Sequence, residues 1–278
     1  MKRRLIAAVC LLIISLMVIS ALSKFTESSA DESPAADDPS YRGKSATYWA
    51  KAMKTAACDD NVAITSNSTP GWATHLGISF RGCQTDPDLW NLLFSGDVDG
   101  IPVLIRLLEH KDPHIRRFAA HGIGGLHGDA APGAEAAIPA LIITLKDSNA
   151  SVRHHAVRSL EKFGPRAKDA VPVLIQTLKD YNRDIRMDTM HCLGAIGPEA
   201  REAVLALIQF LRSDDAHDRD WAAYALGGIG PEAKSAVPDL LKLLINEKDR
   251  RVSDSVYYAL DKNDPKALAD ALRQKNGK

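Results

Sequence analysis

The stretch Ile138-Pro139-Ala140-Leu141-Ile142-Ile143-Thr144-Leu145 returns 33 residues later as Val171-Pro172-Val173-Leu174-Ile175-Gln176-Thr177-Leu178. The same start stands at Ile101-Pro102 and Val237-Pro238, and Val204-Leu205 holds the place without the proline, so the steps are 37, 33, 33 and 33 residues. A fixed period of this size marks a solenoid, in which each unit is one supersecondary motif that cannot bury its apolar face without neighbours. The predicted fold class is therefore all-α, an α-solenoid of helix-turn-helix repeats over residues 99–274.

Each unit opens on a helix, because apolar residues recur at i, i+3, i+4 and i+7, as in Val171, Leu174, Ile175 and Leu178. The proline falls in the first turn, where its missing N–H would have no intrahelical partner. After a polar turn a second helix follows, counted from Ile115, Val152, Ile185, Asp218 and Val252. Four residues on stand Ala119, Ala156, Thr189, Ala222 and Val256, small enough for close helix approach. Gly164-Pro165, Gly197-Pro198 and Gly230-Pro231 end these helices, with glycine expected in a left-handed cap.

The phrases Val152-Arg153-His154-His155-Ala156-Val157-Arg158-Ser159-Leu160 and Ala222-Ala223-Tyr224-Ala225-Leu226-Gly227-Gly228-Ile229-Gly230-Pro231 resemble HEAT repeats of the short bacterial, phycobilisome-lyase-like kind. The resemblance implies a right-handed superhelix whose second helices line the concave surface. It says little about function, since such repeats serve adaptors, inhibitors and some enzymes. The sequence departs from the pattern at Asp218, where an apolar residue is expected, at Leu205 and at Ser253. An irregular start to the fourth unit's second helix is expected from these.

The N-terminus carries Lys2, Arg3 and Arg4 ahead of an uncharged run, Leu5 to Leu22. Residues 1–23 read as a signal peptide or an uncleaved signal anchor, which predicts export to a bacterial cell envelope and membrane contact through this segment alone. Residues 24–44 are rich in Ser, Ala, Asp, Glu and Pro and read as a disordered linker. Residues 45–98 form a degenerate N-terminal capping repeat, with Tyr48-Trp49 in one helix and Asp86-Pro87-Asp88-Leu89-Trp90 in a truncated second. Between them, Cys58 and Cys83 bracket an insertion without helical period; in an exported chain they form a disulfide, with two free thiols as the alternative. Cys192, beside core Leu193, is expected to be buried and inert.

With 35 basic and 35 acidic residues, the chain lacks the basic excess of a nucleic-acid binder. Nine histidines raise the question of metal, yet Pro113 separates His110 from His114 and no His-Glu-x-x-His occurs. HEAT-like di-iron hydroxylases carry His-Glu pairs, and this sequence has no His-Glu dipeptide. There is no Gly-x-Ser-x-Gly elbow and no phosphate-binding loop. No catalytic, cofactor-binding or metal-binding set is predicted.

What remains is a column of second-helix positions. Six residues past the start stand His121, Arg158, His191, Tyr224 and Tyr258; three past stand Phe118, His155, Asp188, Trp221 and Ser255. These lie at roughly 240° and 300° around the helix, away from a core stripe near 40°. Rings and arginine in such a row fit a protein-binding face, with Phe118, His121, His155, Arg158, His191, Trp221, Tyr224 and Tyr258 as its residues. The expected function is a non-catalytic interaction scaffold of the envelope; the resemblance to bilin lyases implies as alternative an enzyme using the groove for a small ligand. Packing between units is the bland reading of Phe118 and Trp221.

Overall fold

A computed structural model describes residues 37–56, 92, 98–125 and 133–276. The signal segment, most of the linker and the whole Cys58 to Cys83 insertion lie outside the described residues, as do Asp86 to Asn91. The described part belongs to a unit spanning Pro39–Lys278. It opens on a two-residue antiparallel pair, β1 (Ser40–Tyr41) and β2 (Lys44–Ser45), with Tyr41 facing Lys44. Helix α1 (Ala46–Ala56) follows. Five helix pairs come next: α2 (Ile101–Leu107) with α3 (Pro113–Gly125), α4 (Ile138–Thr144) with α5 (Ala150–Phe163), α6 (Val171–Thr177) with α7 (Arg183–Ile196), α8 (Val204–Phe210) with α9 (Ala216–Ile229), and α10 (Val237–Asn246) with α11 (Arg250–Asn263). Helix α12 (Pro265–Asn276) covers the end, with Leu268 packed on the core. No helix of the described residues is long and apolar enough to cross a membrane.

The periodicity sets what is buried. On the first helices, positions i, i+3 and i+7 are at most 8 % exposed in all five units, from Ile101, Leu104 and Leu108 to Val237, Leu240 and Leu244. On the second helices the small row Ala119, Ala156, Thr189, Ala222 and Val256 is fully buried, together with Ile123, Leu160, Leu193, Leu226 and Leu260. Consecutive second helices pack directly on one another, whereas consecutive first helices barely touch and are spaced by the 3₁₀ segments Gly164–Ala170, Gly197–Ala203 and Gly230–Ala236. The second helices thus form one continuous layer, and the first helices with their 3₁₀ segments another.

Two expectations about the ends are corrected. The linker does not run to residue 44, because Tyr41 is 2 % exposed and its ring lies 6.0 Å from that of Trp49, itself fully buried and donating from Nε1 to the Lys44 carbonyl. Charged neighbours gave this segment the composition of a tether, but one aromatic ring with a docking surface suffices to fix it. The glycine caps also differ: Gly164, Gly197 and Gly230 have φ of 53°, 75° and 73° but ψ of −131°, −142° and −146°. That extended, positive-φ conformation is open essentially to glycine alone, and it turns the chain straight into a 3₁₀ segment instead of a left-handed cap.

Inter-unit register is held by the arginine at the fourth residue of three second helices, α3, α5 and α9. Arg153 Nε and Nη2 donate to the two oxygens of Asp180 in the next unit, at 2.6 and 3.0 Å, while Nη1 donates to the Asp147 and Ser148 carbonyls of its own turn. Arg116 makes the same fork with Asp147, and Arg219 with Glu247. The acceptor also caps its own turn: Asp147 and Asp180 each accept the N–H two residues on. One carboxylate therefore closes a turn and joins two units.

The fork is missing once. Arg186 donates to the Asp180 and Tyr181 carbonyls, but Ser213 stands where a carboxylate would face it. Ser213 Oγ instead donates to Asp218 Oδ2 at 2.9 Å. Asp218, in the apolar row, is 8 % exposed, and its Oδ1 has no hydrogen-bond partner among the described residues. The expected irregular start is not seen: α9 is regular, capped by the Asp215 side chain accepting the His217 N–H. A good N-cap outweighs one misplaced polar residue.

Arg153 and Asp180 are 8 % and 7 % exposed, so Arg153→Ala leaves a carboxylate buried alone and should cost about 3–5 kcal/mol in denaturant unfolding. Arg106→Ala breaks an exposed pair with Glu109 and should cost at most about 1 kcal/mol. Asp218→Val removes the unsatisfied oxygen and restores the apolar row. A gain of about 1–2 kcal/mol is expected, seen as a melting temperature higher by about 2–4 °C per kcal/mol; a lower one would refute this reading.

Candidate functional site

The eight column residues all lie on the second helices, and they gather into two groups. Toward the C-terminus, His191 stacks on Tyr224 with centroids 5.4 Å apart and planes 26° apart, and Tyr224 stacks on Tyr258 at 5.5 Å and 22°. Trp221 meets both His191 and Tyr224 edge-on, at 5.5 and 5.9 Å. Four rings from α7, α9 and α11 thus form one surface, in which Tyr224 and Tyr258 stay 38 % and 37 % exposed while Trp221 is half-buried against the core. Lys262 Nζ lies 6.0 Å from the Tyr258 centroid and caps that end of the stack.

The stack needs close backbones. A Cβ on Gly227 would come within 2.5 Å of the Tyr258 ring, and one on Gly228 within 2.5 Å of the Gly194 carbonyl oxygen. The Gly227-Gly228 pair therefore seats the tyrosine and lets α7 and α9 touch. Its sequence signal was visible, but only the packing shows which ring it serves.

Toward the N-terminus, the His121 and His155 rings meet edge-on at 5.5 Å, and His154 lies 5.3 Å from His155. Phe118 is buried at 8 % exposure with the Arg117 guanidinium 5.0 Å over its ring, so this residue packs more than it presents. Arg158 is exposed. Two carboxylates join the groups across α5 and α7: Asp188 takes His154 Nε2 at 2.7 Å and lies 4.0 Å from Arg158, and Glu161 takes His191 Nδ1 at 3.2 Å. Ser255 donates to Asp220 at 2.6 Å and presents little of its own.

These neighbours shift His191 in one direction and His121 and His155 in the other. The Glu161 carboxylate, hydrogen-bonded to His191, raises that imidazole above its ordinary range and is itself lowered by it. Protonated His191 then stacks a cation on the Tyr224 face. Burial lowers His121, helped by Arg158 and Arg117. His155 is pushed down to about 3, first by burial and then by His121, His154, Arg117 and Arg158.

Sequence reasoning overlooked Arg117, His154 and Glu161, although His154 and Glu161 sit one turn from column residues. It also did not assign the recurring Arg116, Arg153, Arg186 and Arg219 to the inter-unit fork. Cys192 is fully buried, and burial raises its thiol well above the usual range. Away from the column, Lys168, Pro172, Glu199, Arg201, Glu202 and Glu232 line an open polar depression where the 3₁₀ segments lie side by side. Among the described residues no group of three His, Cys, Asp or Glu is placed to hold a metal ion.

Comparison with known proteins agrees with this architecture. Residues 138–227 match the family profile of HEAT repeats, and residues 218–246 match that of the PBS lyase HEAT-like repeat. Residues 138–246 of the chain are thus HEAT repeats. No curated protein matches the chain at a significant level. Among solved structures, an engineered protein superposes with a TM-score of 0.54 at 22% identity, over 80% of this chain and 97% of that one. A designed armadillo repeat protein in complex with the peptide (KR)4 gives 0.54 at 14% identity, over 77% and 98%. The complex of CpcE and CpcF of phycocyanin lyase from Nostoc gives only 0.43 at 22% identity, over 59% and 99%. The engineered and the designed protein establish an α-solenoid and nothing finer.

The histidines predict a pH dependence of stability. His121 and His155 have lowered values in the fold, so below roughly pH 6.5 the unfolded chain binds more protons and stability falls with pH. His191 acts oppositely, its raised value giving stability that is present at low pH and lost as pH rises through the folded value. Melting curves between pH 7.5 and 5.5, above the range of the carboxylates, should show a net fall. His155→Phe should flatten it by several degrees; an unchanged slope would mean that His155 is already charged in the fold.

Proposed function

We propose that this chain is a non-catalytic scaffold that holds a protein partner on its second-helix face, within the bacterial cell envelope. One observation carries the reading: the stack His191, Tyr224 and Tyr258, braced by Trp221, keeps two tyrosines more than a third exposed at fixed positions across three units. Rings already locked by one another lose little side-chain entropy when a partner covers them, and large amphipathic rings dominate interface energetics. A designed armadillo repeat protein of similar fold was solved in complex with a peptide, which supports peptide or protein binding by a solenoid of this kind. The envelope assignment rests on Lys2-Arg3-Arg4 and the apolar run after them.

Trp221→Ala, Tyr224→Ala and His191→Ala together should abolish capture of a partner from a native envelope extract, identified by mass spectrometry against the unaltered protein. Helicity should be unchanged, and melting lowered by no more than a few degrees. Equal capture by both proteins would refute the face. Recovery of the native chain from the cytosol alone would refute the compartment. A coloured small molecule retained through purification would favour the enzymatic alternative.

A further inference from the structure

Two of the helices that carry the ring stack share a second detail. On α9, Asp220 stands four residues before Tyr224, and on α11 Asp254 stands four residues before Tyr258. Residues four apart on a helix are neighbours on one face, so each of these exposed tyrosines has a carboxylate one turn away. The same two positions hold Arg117 and His121 on α3, His154 and Arg158 on α5, and Met187 and His191 on α7. The face therefore changes from basic to acidic along the array, and carboxylate meets tyrosine in its last two units.

Both carboxylates are open to a newcomer. Asp220 Oδ1 accepts the Ser255 hydroxyl at 2.6 Å, a neutral bond that orients the group and leaves its charge in place. Asp254 is 70 % exposed, and its ion-pair partner among the described residues is Arg250, 3.8 Å away and 93 % exposed. So solvated a pair contributes little and exchanges readily for another cation. The rings are open as well: centroids 5.4 and 5.5 Å apart exceed the ~3.5–4 Å of direct face contact, so the stack is slipped and part of each tyrosine face is uncovered.

The molecule itself shows what such a pair of groups holds. In the turn before α7, the Arg153 guanidinium lies 5.0 Å over the Tyr181 ring while Nε and Nη2 donate to the adjacent Asp180 carboxylate. A guanidinium is planar, rests on a π face and forks its edge to a carboxylate, and a tyrosine with a neighbouring aspartate supplies both.

We infer that Asp220 with Tyr224, and Asp254 with Tyr258, are tandem seats for arginine side chains of a basic segment of the partner protein. This rests on the scaffold reading and gives its partner a chemistry. Two seats in adjacent units favour a segment with several arginines over a lone cation, because the second contact is made within an already bound chain.

The test titrates a capped tetra-arginine peptide into the full-length protein at low ionic strength, read by calorimetry and tryptophan fluorescence. Binding should be saturable, about tenfold tighter than that of a capped single arginine, and severalfold tighter than that of tetralysine, which has no planar fork. Asp220→Asn with Asp254→Asn should weaken it about tenfold at unchanged melting temperature, since an asparagine at 220 still accepts from Ser255. Should that pair unfold, Asp254→Asn alone, at its exposed position, should still weaken binding severalfold. Absence of saturable binding, indifference to the asparagine variants, or equally tight binding of tetralysine or tetraglutamate would each overturn the inference. Because the asparagine variants keep all four rings, envelope-partner capture that survives in them but is lost in the Trp221, Tyr224 and His191 alanine variant would refute these seats and leave the scaffold reading standing.

Discussion

The rest of this structure depends on how closely consecutive second helices can approach. The fully buried row of Ala119, Ala156, Thr189, Ala222 and Val256 puts little side chain between them, and glycines at 194, 227 and 228 remove even a Cβ where larger groups must fit. This close approach brings side chains at equivalent positions in successive units within ring-stacking distance. The binding face is a consequence of helix packing before it is a matter of which rings are present.

Apolar burial alone would leave units free to slide. The forks of Arg116, Arg153 and Arg219 oppose this, because a planar guanidinium meets a carboxylate in one geometry and simultaneously ties down the carbonyls of its own turn. Where Ser213 interrupts the series, the third and fourth units are joined without a fork, by an exposed pair of Arg183 with Asp215. The contact of His191 with Trp221 and Tyr224 spans the same pair of units.

Much of this was legible in the sequence. Period-33 phrases with a first-turn proline specified the pairs of helices, and the apolar rows at i, i+3 and i+7 specified the buried stripes. Helical geometry set the column apart from the small apolar row, yet Phe118 within it is buried. Tyr41 was missed because a single aromatic in polar company carries no period, and its burial depends on a surface made by Trp49 and residues far along the chain. The glycine turns were misread in detail because positive φ is encoded by the residue, while ψ is set by where the next helix must begin.

The column also shows where linear reading stops. His121, His155 and His191 occupy comparable helix positions, yet Glu161 raises His191 while burial and two arginines lower the others. Nothing in the one-unit spacing distinguishes them, since each is tuned by residues of an adjacent helix. By itself the sequence determined the repeat, the two-helix unit and the apolar faces, because these follow from periodicities local to each helix. Only the tertiary structure decided the fork partners, the division of the column into a ring stack and a histidine–arginine cluster, and the opposite shifts of His191 and of His121 and His155, because those depend on distances between residues about 30 positions apart that exist only once the units are stacked.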